Sequence, residues 1–201
     1  MASYMSVPSM LREDARWMRL VDLVRELAFL DGGNDEAFTL ASGRTSRWFF
    51  DMKPVMMNPE AGRLVGELMN VRCDEIGADF IGGLELGAVP LAALVVATDF
   101  TSDRLGFMVR NQAKGRGGRK TNNPPGIEGA SIANGGRVII LEDVTTTGGS
   151  AIQAVKRIEE ETDCEVVAVI SILDREEGGK EAFEQAGIPF ESLLVRSDIS
   201  G

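Results

Sequence analysis

Apolar positions along the chain change period twice. From Met10 to Leu30 they recur at helical spacing (Leu11, Ala15, Met18, Val21, Leu23, Val24, Leu27), and Asp31-Gly32-Gly33 follows as a stop. This pattern predicts one amphipathic helix over the stretch. Phe38-Thr39-Leu40 and Trp48-Phe49-Phe50-Asp51 read as short strands around Ser42-Gly43-Arg44, a turn signal. Asn58-Pro59-Glu60 opens a second helix to about Ile76, with proline at its first position. Met1–Ser9 show neither period and are read as a disordered leader.

Strand–loop–helix alternation then takes over. Asp79-Phe80-Ile81 leads into the loop Gly82–Gly87, and a helix is predicted from about Val89 to Thr98. Phe107-Met108-Val109 reads as a strand, and Asn111 to Gly126 is polar, rich in Gly and Pro, and without period. Val138-Ile139-Ile140-Leu141 and Val166–Leu173 are continuous apolar runs, the mark of strands buried on both faces. A loop over Asp143–Gly149, helices over Ser150–Glu161 and Lys180–Gln185, and a strand over Phe190–Val195 complete the reading. The alternation predicts an α/β fold: a parallel sheet flanked by helices on both faces, with ligands beyond the carboxyl ends of the strands.

Composition narrows the chemistry. At 201 residues, 44% hydrophobic and 26% charged, the chain has enough core for one domain without a staple. It contains no histidine, so Ser-His-Asp and Cys-His nucleophilic sites and histidine-bearing zinc sites are excluded. Two cysteines, Cys73 and Cys164, are too few for a thiolate cage and fit a reducing, cytoplasmic setting. No apolar run reaches ~18 residues and no secretory pattern is visible, so no membrane partner is expected. The net charge of −10 argues against a nucleic-acid partner. Against that charge, Arg104 to Ile127 holds six cations (Arg104, Arg110, Lys114, Arg116, Arg119, Lys120) and no acid. A solvated surface loop accounts for such an island, and so does a lid over an anion site.

The chemistry concentrates in Val138–Ser150, VIILEDVTTTGGS. A buried strand delivers Glu142 and Asp143 to the sheet edge. Thr145, Thr146, Thr147, Gly148 and Gly149 follow, and a helix begins near Ser150. Small residues there let backbone N–H groups, hydroxyls and the helix N-terminus converge as an anion cradle. Two carboxylates beside a phosphate would repel it, so they should face another part of the same ligand: sugar hydroxyls, a metal or a developing cation. The plain alternative is an ordinary helix start, with Ser150 and Gln153 as a capping box. No lysine follows the glycines, so the string is not a Walker A loop, and it lacks the GxGxxG spacing.

This string resembles the 5-phosphoribosyl 1-pyrophosphate (PRPP) motif of type I phosphoribosyltransferases, and the rest of the chain is similar to the orotate phosphoribosyltransferase family. Phe38–Gly43 (FTLASG) with Asp51 resembles that family's N-terminal hood, and Gly82–Leu91 (GGLELGAVPL) its pyrophosphate-side loop. Val109-Arg110, Lys114 and Ile127-Glu128-Gly129 resemble the frame of its mobile catalytic loop. Leu173–Gly179 (LDREEGG) resembles its orotate-side segment, and Ala186–Phe190 its C-terminal run. The likeness spans roughly Phe38 to Asp198.

The resemblance implies one phosphoribosyltransferase domain, with a hood of about residues 1–60 plus the C-terminal segment and a PRPP-binding core of about 61–175. It implies transfer of the phosphoribosyl group of PRPP to orotate, giving orotidine 5′-phosphate and pyrophosphate in pyrimidine biosynthesis, with Mg2+ held mainly by PRPP. PRPP contacts would come from Arg110, Lys114, Glu142, Asp143 and Thr145 to Ser150, and orotate contacts from Thr146, Arg175, Phe49 and Phe50. Lys114, Arg116 and Asp143 would be catalytic. Arg175 suits a carboxylate because its planar fork binds two oxygens; pairing with the neighbouring acids is its ordinary alternative. Strand alternation would send Phe49 and Phe50 to opposite faces, one of them into the core. The loop at residues 111–126 would reach the neighbouring site of a homodimer.

The loop departs from the family pattern. Asn111 follows Arg110 where the family usually has a second cation, Arg116 stands where it usually has a histidine, and Thr121–Gly126 lengthen the segment. Ala41 stands where some members have a lysine. Arginine keeps the charge but does not donate a proton easily near pH 7. A phosphoribosyltransferase for another base, or a non-catalytic PRPP-binding regulator, are the alternatives these departures leave open.

Overall fold

The longest apolar runs make the two central strands. In the computed structural model, which describes residues 7–33, 38–39, 45–112 and 121–200, the N-terminal part contains α1 (Ser9–Arg12), α2 (Ala15–Leu27), β1 (Phe29–Asp31), β2 (Phe38–Thr39), β3 (Thr45–Ser46), β4 (Trp48–Phe50) and α3 (Lys53–Met56). The remainder runs α4 (Pro59–Ile76), β5 (Phe80–Leu84), α5 (Ala88–Thr98), β6 (Leu105–Val109), β7 (Ile127–Gly129), β8 (Gly136–Thr145), α6 (Gly149–Glu161), β9 (Cys164–Asp174), α7 (Gly179–Ala186), β10 (Phe190–Val195) and α8 (Arg196–Ser200). The main sheet has the order β10-β9-β8-β5-β6-β7. All neighbours are parallel except β7, which pairs antiparallel with β6.

Alternation along β8 explains the layering. Ile139 and Leu141 join a core built with α2, α3, α4 and α5, while Val138 and Ile140 join a second core with α6 and α7. All four are essentially without solvent contact. Strand order reverses direction between β5 and β8, which is where a ligand is expected in an open parallel sheet. The expected parallel α/β fold is therefore present, with one antiparallel edge strand that the sequence reading assigned to the frame of a loop.

Several boundaries differ from the periodicity reading. The helix expected over Met10–Leu30 is two helices, because Asp14 caps α2 by accepting the Arg16 N–H, and Phe29–Asp31 leaves it to pair with β4. The expected disordered leader does not hold for Val7–Ser9, since Val7 is buried and α1 begins at Ser9; Met1 to Ser6 lie outside the described residues. Leu40 and the turn Ser42-Gly43-Arg44 also lie outside them. β5 extends to Leu84, and β8 continues to Thr145, so Asp143, expected to open the following loop, is a strand residue like Glu142. Among the described residues, no helix is long and apolar enough to cross a membrane.

Long-range ion pairs join distant segments. Arg12 meets Asp198 at 2.6 Å, and Arg25 donates to the carbonyls of Asp198 and Ile199, so α1 and α2 hold α8. Arg104, counted above with the cationic loop, is instead buried. It pairs with Asp74 (2.5 Å) and Asp99 (3.0 Å) and donates to Asn70 and the Ala78 carbonyl. Removing one partner of such a cluster leaves uncompensated buried charge. Arg104→Ala should destabilise the fold by about 3 kcal/mol in urea unfolding while leaving ligand affinity of the folded protein intact. A loss under ~1 kcal/mol would return Arg104 to the class of surface cations.

Candidate active site

Two cavities of about 450 Å³ each meet at the carboxyl end of β8. The first lies between Phe49–Lys53, the end of β8, the turn Thr146–Ser150 and Arg175. The second lies between Leu84–Ala88, Leu141–Val144 and the start of α6. Glu142, Asp143, Val144, Ser150 and Lys53 line both.

The turn into α6 is built for an anion. Gly148 adopts φ +75° as the residue before the helix, a left-handed conformation that favours glycine. Gly148 has no side chain to cap α6, so the capping-box alternative for Ser150 and Gln153 is not realised; the Ala151 amide is taken by Glu142, and Gly149 and Ser150 ahead of it line the cavity. Thr146, Thr147, Gly148, Gly149 and Ser150 all line the first cavity. The Thr145 side chain does not. It is fully buried, and its hydroxyl donates to Glu142 at 2.7 Å.

The carboxylates diverge by strand alternation. Glu142 turns toward α6, where it meets the Thr145 hydroxyl and the Ala151 amide. Burial is the largest influence on it and raises its pKa from 4.5 to about 7; those two hydrogen bonds pull down, and the Asp143 charge pushes up. Asp143 turns toward α3 and the β5–α5 connection. Its pKa is also raised, by burial first, with a backbone hydrogen bond and Lys53 pulling down and Asp51 pushing up. A Cβ at Gly87 would collide with the Asp143 carboxylate, so that glycine is what lets the carboxylate stand there.

The opposite wall of the first cavity comes from β4 with the residues after it and from the end of β9. Phe50 is buried against Phe29 (5.1 Å), whereas the half-buried Phe49 packs on Phe38 (5.7 Å), the division that alternation requires. Arg175 is 4% exposed. Its Nη2 donates to the Ser46 hydroxyl and the Trp48 carbonyl, both at 3.0 Å, and pairs with Glu177 at 2.8 Å. The guanidinium sits 5.9 Å over Phe50, and its Nε is buried without a hydrogen-bond partner. Pairing with a neighbouring acid and a place on the cavity wall thus coexist.

Other expected site residues are placed differently. Arg110 lines neither cavity; it faces Glu128 (3.5 Å) and Glu85 (3.9 Å). The Asn111 amide donates to Glu85 at 2.9 Å. Lys114 and Arg116, with Arg119 and Lys120, lie outside the described residues. Asp51 and Lys53 are additions from the structure: Asp51 appeared only within the hood resemblance, and Lys53 carried no signal, being one lysine beside a proline. Among the described residues, no group of three or more metal-ligating side chains is present.

No family model matches the chain. The orotate phosphoribosyltransferase of Rhodopseudomonas palustris (strain BisB5) is 42% identical over 191 residues, 94% of this chain and 98% of that protein. The crystal structure of the Mycobacterium tuberculosis H37Rv orotate phosphoribosyltransferase in complex with Fe(III) dicitrate is 32% identical, with a TM-score of 0.78 over 92% of this chain and 99% of that one. The same enzyme in complex with PRPP gives 30% identity and a TM-score of 0.74 over 92% and 99%. The sheet order, the small-residue turn after β8 and the likeness to these structures define a type I phosphoribosyltransferase. Within that class the chain belongs to the orotate phosphoribosyltransferase family.

The raised Glu142 pKa has a stability consequence. The folded state holds the Glu142 proton between pH 4.5 and about 7 while the unfolded chain releases it, so stability falls as pH rises through that window. The rise corresponds to about 3 kcal/mol at most. Glu142→Gln should therefore melt higher than the parent at pH 8, by several degrees, and at nearly the same temperature at pH 4.5. Equal shifts at both pH values would mean that Glu142 is not held against ionisation.

Proposed function

We propose that this chain transfers the phosphoribosyl group of PRPP to orotate, yielding orotidine 5′-phosphate and pyrophosphate for pyrimidine biosynthesis. One observation supports it most: Arg175, buried with an unpartnered Nε, lines the same cavity as two carboxylates and the Thr146–Ser150 turn at the start of α6. A cavity with these groups suits a ligand pair that carries a carboxylate and a phosphate.

In this reading Thr146–Ser150 take the 5′-phosphate, with Thr145 acting behind them by holding Glu142. Glu142 and Asp143 face the ribose hydroxyls. Phe49 packs on the pyrimidine ring, Phe50 supports Arg175 from the core, Thr146 reaches the ring, and Arg175 takes the orotate carboxylate. A ring nitrogen of orotate, deprotonated in the reactive form, attacks the anomeric carbon. The C–N bond forms as the C–O bond to pyrophosphate breaks, and the electron pair leaves with pyrophosphate. Positive charge that develops on the ribose is stabilised by the two carboxylates, with no protein nucleophile needed. That agrees with a chain lacking histidine.

Mg2+ fits this donor set. Mg2+ binds through one or two carboxylates, substrate oxygens and water rather than a protein cage, and the described residues offer two adjacent carboxylates and no cage. When bound it supplies charge neutralisation for the pyrophosphate. Roles for Arg110, Lys114 and Arg116 in the loop, the reach of that loop into a second subunit of a homodimer, and the division into hood and core rest on the family resemblance. A reducing, cytoplasmic setting accords with two buried free cysteines.

The test is orotate consumption, followed by ultraviolet absorbance, with PRPP and magnesium and with uracil and hypoxanthine as parallel acceptors. Orotate turnover that requires PRPP, stops on chelation and is lost in Asp143→Asn is the expected outcome. Arg175→Lys should raise the KM for orotate about tenfold or more, since one bidentate contact is lost, with the KM for PRPP within a few-fold of the parent. Faster use of uracil or hypoxanthine than of orotate would overturn the acceptor assignment.

A further inference from the structure

The second cavity is electrostatically unbalanced. Its walls carry Glu85, Glu142 and Asp143, and among the described residues Lys53 is the one cation lining it. Lys53 also lines the first cavity, so it stands at the seam of the two. Asp51 holds it there twice: it accepts the Lys53 backbone N–H at 3.1 Å and the ammonium at 3.0 Å. The first bond fixes where the lysine leaves the chain. The second is weak, because the lysine side chain is 48% exposed, and a multiply charged anion can draw the ammonium away.

Geometry at the anomeric carbon says what that anion is. In a displacement, nucleophile and leaving group occupy opposite faces. With orotate against Phe49 and Arg175, and the 5′-phosphate in the Thr146–Ser150 turn, the second cavity remains for pyrophosphate. Glu85 is already turned to the Asn111 amide and the Arg110 guanidinium. Glu142 and Asp143, which face the ribose, also border this cavity, and Lys53 is the cation beside Asp143.

We propose that Lys53 is a binding residue for the leaving pyrophosphate, positioned at the seam of the two cavities by Asp51. The inference rests on the phosphoribosyl-transfer reading above. Its ammonium leaves Asp51 for a pyrophosphate oxygen as substrate enters and returns to Asp51 when pyrophosphate departs. No proton or covalent bond is exchanged.

Calorimetric titration of the full chain with pyrophosphate, and separately with ribose 5-phosphate, each with magnesium, tests this directly. Lys53→Met should weaken pyrophosphate binding about tenfold and leave ribose 5-phosphate within about twofold. Lys53→Arg should restore most of the loss, and in the reverse reaction the KM for pyrophosphate should rise without that for orotidine 5′-phosphate. An equal loss for both ligands would make Lys53 a support for Asp143 or the hood and overturn the proposal, as would unchanged pyrophosphate affinity in Lys53→Met. Tight pyrophosphate binding by a parent protein that does not turn over orotate would sink the transferase reading and leave the binding assignment standing.

Discussion

Carrying two carboxylates to the end of a strand buried on both faces is the constraint around which the other groups are arranged. The apolar run of β8 has no water to offer, so Glu142 and Asp143 are disfavoured as anions and their pKa values rise. The offsets are local and separate: the Thr145 hydroxyl and Ala151 amide for Glu142, the Lys53 ammonium for Asp143. Gly87 contributes by having no side chain where the Asp143 carboxylate must stand. Residual cost of this kind suits a site that must favour positive charge on a ligand, because a carboxylate held short of solvation gains most when a cation arrives.

Arg175 joins the two halves of the first cavity. It leaves the end of β9, where its own amide donates to the Thr145 carbonyl, and reaches Ser46 and Trp48 in the hood. Behind it, Arg196 stacks over Trp48 at 4.5 Å, and Glu176 accepts the Ser197 amide. The segment Ser46–Trp48 is thus tied to the ends of β9 and β10 through polar and cation–π contacts, while α2 and α3 pack into the core on one face of the sheet. Substrate contacts drawn from both halves can share one rigid floor.

Much of this was legible in the chain because the strongest signals are those of burial. The bounds of β10 follow from its apolar run, α4 from Asn58-Pro59 and an end near Ile76, and β8 and β9 from unbroken apolar runs. The turn after β8 was legible because small residues, threonines and a helix start admit few other uses. What escaped was decided by partners far along the chain. Apolar spacing continues across Glu13-Asp14 and cannot register that Asp14 starts a new helix. β7 is a three-residue edge strand ending in glycine. Arg104 reads as a loop cation until Asp74, Asp99 and Asn70 are brought around it. Lys53 gains its meaning only where the hood meets the β5–α5 connection, which no linear pattern encodes.

The pairing of Arg12 with Asp198, and of Arg25 with the last carbonyls, brings the first and last described helices side by side. A short peptide joining them would therefore close the chain into a ring with little added loop entropy. New ends could then be opened at any exposed connection that carries no substrate group. The order in which the hood and the sheet are synthesised is, in this sense, separable from the architecture they form.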